Sequence, residues 1–217
     1  MMKFFSVFLL CCSSVWATYG HATLAANAKL SLNKNDIKVW TYQDPKNSAM
    51  SYSAETTLNV PIERAVALIL DVKSTASWVP NVAHAELLSQ PSSNGEFNLY
   101  MILDFPFPLK DRDLVVKGSV KKDAQGVIHI QNRAVTQGKA IDAKYTRITR
   151  YEGNWRFEKI DTNQVKVTTS GFADPAGSIP ASVANFFVEQ QPYQMLQKMK
   201  AELAKNKPLP ALPAALR

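Results

Sequence analysis

Residues 104–115, DFPFPLKDRDLV, contain the feature that decides how the fold is interpreted. An aromatic–proline repeat runs into the charged triplet Asp111-Arg112-Asp113, and aliphatic residues that favour a strand follow at once. A charge at the start of a buried strand is unusual, because a buried charge without a partner is strongly unfavourable. The segment therefore raises the question of what the arginine faces.

In a regular strand from 112 to 122, alternate side chains share one face. Arg112 begins the apolar face, whereas Asp113 begins the opposite face, which is predicted to meet solvent. The apolar face continues through alternate residues: Leu114, Val116, Gly118 and Val120. Two roles for Arg112 remain open. It can form a structural ion pair with a carboxylate such as Asp104 or Glu152, or it can anchor the polar head of a ligand in a cavity.

The periodicity of the whole chain predicts an α+β fold. Alternating residues and turn formers predict strands at 37–43, 50–59, 83–90, 96–105, 112–122, 127–135, 145–160 and 164–173. Helical spacing predicts a helix after Pro61, a short helix containing Trp78, and a final helix from Ile179 to Ala204 that Pro192 should kink. Residues 26–36 show no pattern. Short turns between successive strands favour a curved antiparallel β-sheet wrapped around the long C-terminal α-helix.

Residues 1–25 are predicted to be a signal peptide. Lys3 precedes a short apolar run, and small residues follow, with cleavage expected after Ala17 or Ala25. The run is short for a bilayer span, and an uncleaved anchor is the alternative. Both cysteines lie within this segment, so the mature chain has no thiol. We therefore expect export to the periplasm of a Gram-negative cell, a domain from 26 to 207, and a flexible proline-rich tail from 208 to 217.

Charge and motifs argue against most catalytic classes. The chain has 25 basic and 18 acidic residues, a net charge of +7, but the basic residues form no long run. A solvated basic surface or contact with anionic lipid headgroups fits this pattern, and we expect no nucleic-acid partner. His84 and His129 are far apart, and no phosphate-binding or nucleophile motif is present. We expect no cofactor, no metal and no catalysis.

Three segments resemble one family. PFPLKDRDLV is similar to the arginine-containing motif of START (StAR-related lipid-transfer) domains. ADPAGSIPASVANFFVEQQPYQML resembles the stretch that opens their C-terminal helix, and Glu152-Gly153-Asn154-Trp155 resembles a motif of bacterial members. Order and spacing agree over residues 36 to 205, so the chain resembles a bacterial exported member of the START family.

The resemblance implies a helix-grip fold that binds and transfers a lipid or other hydrophobic molecule in an internal tunnel, gated by the C-terminal helix. It implies a wall formed by Tyr100, Leu114, Val116, Gly118 and Trp155. Val183, Phe186 and Phe187 would form the underside of the lid, and Arg112 the polar anchor. The partners expected are the hydrophobic ligand and, transiently, a membrane surface, with the protein acting as a monomer.

The sequence departs from the family in two places. Gly118 stands where sterol- and phosphatidylcholine-binding members carry a second inward arginine, so neither ligand class carries over. Ser182 or Val183 replaces the usual tryptophan of the lid. Two alternatives to a lipid carrier stay open: a helix-grip enzyme, cyclase- or hydrolase-like, acting on a hydrophobic substrate, and an interaction module whose core is filled.

Overall fold

The structure, a computed structural model, describes residues 24–46 and 49–216. The predicted signal sequence, apart from its last two residues, lies outside the described residues. The described strands are β1 (Lys29–Lys34), β2 (Ile37–Gln43), β3 (Met50–Leu58), β4 (Val82–Ser89), β5 (Glu96–Leu103), β6 (Arg112–Lys122), β7 (Ile128–Val135), β8 (Thr146–Arg147), β9 (Arg150–Lys159) and β10 (Val165–Asp174). The α-helices are α1 (Ile62–Leu70), α2 (Thr75–Trp78) and α3 (Ala181–Ala204), and short 3-10 turns span Val72–Ser74 and Ala214–Leu216.

Nine strands form one antiparallel sheet in the order β1-β2-β3-β10-β9-β7-β6-β5-β4. Neighbours along most of this path are also neighbours in sequence, as expected for hairpins with short turns. The β3–β10 pairing is the long-range closure that brings the first strands beside the last. The short strand β8 lies off this path and pairs in parallel with the start of β6. The α+β fold predicted from the periodicity is confirmed.

Helix α3 packs on the concave face of the sheet, mainly against β2 and β3. Its second half carries the residues that enter the core, and Leu196 and Met199 are fully buried. The helix has 24 residues and continues through Pro192, so it is roughly 36 Å long at ~1.5 Å per residue. None of the described helices is long and apolar enough to cross a membrane.

Strand β1 was not predicted. Its sequence KLSLNK has only two apolar residues, Leu30 and Leu32, and is mostly exposed, so its alternation is too short to predict a strand. The residues that indicate a hairpin lie in the turn after the strand. Asn35 and Asp36 are residue types that tolerate positive φ, and they have φ values of 54° and 57°. Two consecutive residues of this type form the hairpin turn that matches strand twist.

The predicted flexible tail packs against the core instead. Leu216 is 5% exposed and belongs to the hydrophobic core, and Leu209 and Leu212 pack against it. The carbonyl of Lys207 also accepts a hydrogen bond from Arg64 Nη2 at 3.3 Å. Three leucines separated by prolines place apolar side chains of residues 208–216 against the core, which composition alone did not show.

The prediction that Asp113 meets solvent is wrong. Asp113 is 1% exposed, because the segment 136–147 folds over the outer face of the sheet. Arg147 at the end of this segment forms a two-pronged ion pair with Asp113, with Nε–Oδ1 2.9 Å and Nη2–Oδ2 2.8 Å. Tyr100 donates to the same carboxylate at 3.1 Å. The start of β6 is therefore buried on both faces.

Candidate functional site

A cavity of about 410 Å³ lies between the concave face of the sheet and α3. Its volume falls within the range of ~300–1,000 Å³ found for small-molecule sites. The sheet supplies Leu114, Val116 and Trp155, and the helix supplies Phe187 and Met195. Among the described residues that line the cavity, none is an aspartate, glutamate, lysine, arginine or histidine. The site can therefore exclude water around an apolar molecule but offers it no counter-charge.

One row of residues across the sheet explains how the concave face leaves room. In register, Phe97 pairs with Gly118, Gly118 with Asn132, and Asn132 with Gly153. Gly153 pairs in turn with Gly171 of β10. Glycine in a strand often marks a bend or a close approach, because it has no side chain to pack. In the middle of the sheet, the amide side chain of Asn132 therefore lies between two glycines, Gly118 and Gly153, which have no side chain.

The glycines are required by what lies over them. A Cβ at Gly118 would collide with the ring of Phe97 and would lie 2.8 Å from Asn132 Oδ1. A Cβ at Gly153 would take the space occupied by the Tyr151 hydroxyl. The aromatic rings thus fold across the glycines and shape the floor of the cavity.

Two side-chain atoms of the lining are buried without a hydrogen-bond partner in the described chain, Asn132 Oδ1 and Trp78 Nε1. Such orphaned polar atoms are rare in native proteins and call for an explanation. Tyr52 and Tyr151 are the tyrosines of the lining, and burial raises the pKa of both hydroxyls. Both therefore stay protonated at neutral pH.

Arg112 points inward, as the alternation predicts, and is 3% exposed. It does not pair with Asp104 or Glu152. Its donors reach backbone carbonyls instead: Nε to Pro175 at 3.1 Å, Nη2 to Ala176 at 3.4 Å, and Nη1 to Lys110. Carbonyl oxygens can satisfy a buried guanidinium because its five N–H groups need acceptors rather than a net charge.

Arg112 also connects two loops to the final helix. Its guanidinium carbon lies 4.2 Å from the centroid of the Phe105 ring, which stacks on Phe187 of α3 at 4.7 Å. Pro175 and Ala176, whose carbonyls it holds, lie just before α3 begins. The arginine therefore fixes both the approach to α3 and the loop 104–111 that contacts the helix.

On the outer face, Tyr100 belongs to the ion pair of Asp113 and Arg147. Burial, followed by the hydrogen bond to Asp113, raises the pKa of Tyr100 to about 12. The hydrogen bond from the guanidinium to the carboxylate likewise raises the pKa of Arg147. Arg147 Nη2 also donates to the carbonyl of Ala140 at 3.0 Å. This cluster holds the segment 136–147 on the sheet and does not reach the cavity.

The structure brings together only part of the predicted site. Leu114, Val116, Trp155 and Phe187 line the cavity. The others lie outside the lining: Arg112, Tyr100, Gly118, Val183 and Phe186.

The positions of these residues outside the cavity lining have physical reasons. Tyr100 is on the outer face with Asp113, and Gly118 is covered by Phe97. On α3, Ala184, Phe187 and Gln191 face the cavity, so the helix is rotated from the predicted face and Phe186 packs edge-on against Phe187 at 5.5 Å.

Sequence reasoning missed the polar residues of the floor. Asn132 follows Ile128 and Ile130 at alternate positions of β7, and Tyr151 precedes Gly153 and Trp155 in the same way. Alternation therefore pointed both side chains inward. Among the described residues, no group of three or more histidine, cysteine, aspartate or glutamate side chains is placed to hold a metal ion.

Comparison with known proteins agrees with the architecture. The structure is similar to a STAR-related lipid transfer protein from Xanthomonas axonopodis, with a TM-score of 0.74 and 27% identity over 82% of this chain and 99% of that one. Human STARD10 has a TM-score of 0.73 at 16% identity, over 89% of this chain and 87% of its own. An aromatase/cyclase from Streptomyces shares the fold more distantly, with a TM-score of 0.52 and 16% identity over 72% of this chain and 94% of its own.

The match of the sequence to a family definition is nearly complete for the folded part of the chain. The START domain spans residues 26–208, which include every described strand and α-helix. With the sheet order, the helix on its concave face and the cavity between them on the same residues, the chain belongs to the START domain family.

Proposed function

We propose that the protein binds one lipid or other hydrophobic molecule in the cavity and transfers it without chemical change, with α3 as the gate. The observation that carries this proposal is the cavity of about 410 Å³ beneath α3 with its uncharged, mainly apolar lining. Burial of apolar ligand surface contributes about 25 cal/mol per Å², from which the cost of ordering is subtracted.

The contacts of α3 support a gate in its first half. Residues 181–191, called here the gate segment, are half-buried or exposed, whereas Met199 and Leu203 further along are buried. Phe187 of the gate segment forms part of the cavity wall. Moving this segment would open the cavity without removing the second half of the helix from the core. Arg112 holds the closed position through Pro175 and Ala176.

The surface beside the gate supports a transient contact with a membrane. Phe107 is 97% exposed and Ile141 is 77% exposed, which is unusual for large apolar side chains. The loops that carry them touch, because Lys110 Nζ donates to the carbonyl of Ala143 at 3.1 Å. The lysines and aspartates of these two loops balance in number, so the exposed apolar tips, rather than a net charge, support the contact with a bilayer surface.

A catalytic function is the second candidate, because one structural neighbour is a cyclase. An acid or base in the cavity would need a pKa near neutrality. The described lining offers only the hydroxyls of Tyr52 and Tyr151 as titratable groups, and burial raises the pKa of both. This supports binding without chemistry. Mass measurement of any ligand before and after incubation with the protein tests the point.

The test of the proposed function uses the protein purified without detergent. Solvent extraction and mass spectrometry should find a bound lipid, and the protein should carry that lipid between vesicles. Ala184→Trp places a large ring in the cavity and should abolish both. Ala201→Trp makes the same change at an exposed site of α3 and should preserve both. Reproducible absence of lipid, together with no uptake from vesicles, refutes the proposal.

We also propose that transfer takes place in the periplasm, by a monomer released from the signal peptide. The apolar run after Lys3 supports this. Fractionation of the source cells and determination of the mature N-terminus check the compartment, with cleavage expected after Ala17 or Ala25. Recovery of the uncleaved chain in the membrane fraction contradicts it. Sedimentation checks the monomer.

A further inference from the structure

A second and smaller void, of about 50 Å³, adjoins the main cavity. Four residues line both spaces: Ile69, Val72, Leu99 and Asn132. Phe97 lines the small void but not the main cavity. Phe97 therefore lies where the main cavity ends and the small void begins.

The ring of Phe97 lies across the sheet at this boundary. Phe97 pairs with Gly118 and Gly118 with Asn132, so the three residues face the same side in one row. Two carbons of the ring, Cε2 and Cζ, lie 2.3 Å from the point that a Cβ at Gly118 would occupy, and Asn132 Oδ1 lies 2.8 Å from the same point. The ring therefore covers the glycine and reaches the side chain of Asn132, which belongs to both linings. Phe97 is 4% exposed, so the packed core holds the ring in place.

Beyond the ring, little protein separates the small void from solvent. Its remaining wall includes Leu70, Leu87 and Pro91, all of them half-buried. These residues come from the end of α1, from β4 and from the turn between β4 and β5. The small void therefore lies near the surface, and Phe97 separates it from the space beneath α3.

We infer that Phe97 is the end stop of the cavity and determines the length of the ligand that the cavity accepts. This inference rests on the proposed binding function and adds a specificity-determining residue to it. Each methylene that leaves water for the cavity strengthens binding by about fourfold. Once the chain reaches a packed ring, a further methylene has to fold back or remain in water, so the gain in affinity ends there.

The test uses the delipidated protein and a series of uncharged probes, the methyl esters of the straight-chain saturated fatty acids from caprate to arachidate. Displacement of nile red reports the affinity for each ester, and the affinity of nile red itself is measured for each variant. For the parent protein, affinity should rise with chain length up to a limit and then level off or fall. Phe97→Ala removes the ring and joins the small void to the cavity, so the limit should move by about two to four carbons. The ester that is two carbons longer than the parent's limit should bind to this variant about 15-fold tighter than to the parent.

Leu196→Ala is the matched control, since Leu196 is fully buried but lines neither space. It should destabilise the fold by a similar amount without moving the limit. If Phe97→Ala does not fold, Phe97→Leu makes a smaller change at the same place and should move the limit in the same direction.

Three outcomes overturn the inference and leave the proposed function standing: a limit that is unchanged in the Phe97 variants, a limit that moves equally in the control, and a parent affinity that rises along the whole series. Failure of every ester to bind the parent protein refutes the proposed function itself.

Discussion

Arg112→Met tests whether the gate depends on the inward arginine. Methionine fills similar space but donates no hydrogen bond. Opening of the gate segment breaks the bonds from Arg112 to Pro175 and Ala176 and the stack of Phe105 on Phe187, whereas the bond to Lys110 stays within its own loop. A hydrogen bond to a charged donor contributes ~1.5–3 kcal/mol, and at 3.4 Å the bond to Ala176 is weak.

The closed gate should therefore lose roughly 2–3 kcal/mol in the variant, which is about 30- to 150-fold in the opening equilibrium. Hydrogen exchange followed by mass spectrometry measures this on peptides from 181–191 and from 195–203. Relative to the parent protein, we expect Arg112→Met to raise the exchange rate of the gate segment and to leave the exchange rate of the second half of α3 nearly unchanged. Transfer of ligand between vesicles should become faster as well if opening limits the rate.

Arg147→Met is the control, since it removes a second buried arginine on the opposite face of the sheet. It leaves Asp113 buried without its partner and should lower the free energy of unfolding by ~3–5 kcal/mol. Its exchange should increase throughout the domain rather than in the gate segment. The reasoning about the gate is refuted if Arg112→Met leaves exchange of 181–191 unchanged, or raises it no more than exchange elsewhere.

Three further predictions concern the membrane contact, the glycine row and the outer-face cluster. Phe107→Ser should leave the melting temperature unchanged, because the ring is 97% exposed, and should weaken binding to anionic vesicles in a flotation assay; unchanged flotation contradicts the membrane contact. Gly118→Ala should lower the free energy of unfolding by ~1–3 kcal/mol in denaturant titration, because its Cβ collides with the Phe97 ring, and Phe97→Leu should restore part of that loss; stability equal to that of the parent would show that the ring moves freely. The pKa of Tyr100 is raised from 10.0 to about 12, so its protonated hydroxyl stabilises the fold fully below pH 10, and this stabilisation is lost as the pH rises from 10 to 12. Tyr100→Phe should remove this part of the pH dependence of the free energy of unfolding, and an unaltered profile between pH 10 and 12 would argue against it.

Much of the sheet could be predicted because its strands alternate cleanly. β6 and β7 lie within one residue of their predicted bounds, and the inward direction of Arg112 follows from alternation alone. The partner of Arg112 could not be predicted in this way. Pro175 and Ala176 are more than 60 residues further along the chain and approach only because β10 turns back toward α3. The acceptors are also backbone carbonyls, which every residue has, so residue types do not identify them.

The face of α3 was harder to predict for a related reason. The apolar residues of the gate segment lie on more than one side of the helix, so helical spacing alone did not distinguish Phe186 from Phe187 as the residue that faces the sheet. Packing of Phe187 against Phe105 sets the rotation of the helix. Asp113 shows the same limit on a strand, because a distant segment covers a face whose lysines had indicated solvent.

The amino-acid sequence by itself determined the side of the sheet toward which each strand residue points, since alternation is a property of the extended backbone. It also determined the order of the helices and of most strands, without β1 and β8, and the START resemblance, through PFPLKDRDLV and the opening of the last helix. Only the tertiary structure decided which inward positions meet packed neighbours and which meet empty space. Gly118 and Gly153 both point inward, yet what lies above them comes from the rings of Phe97 and Tyr151. The direction of a side chain is local, whereas the space in front of it depends on elements far away in the chain.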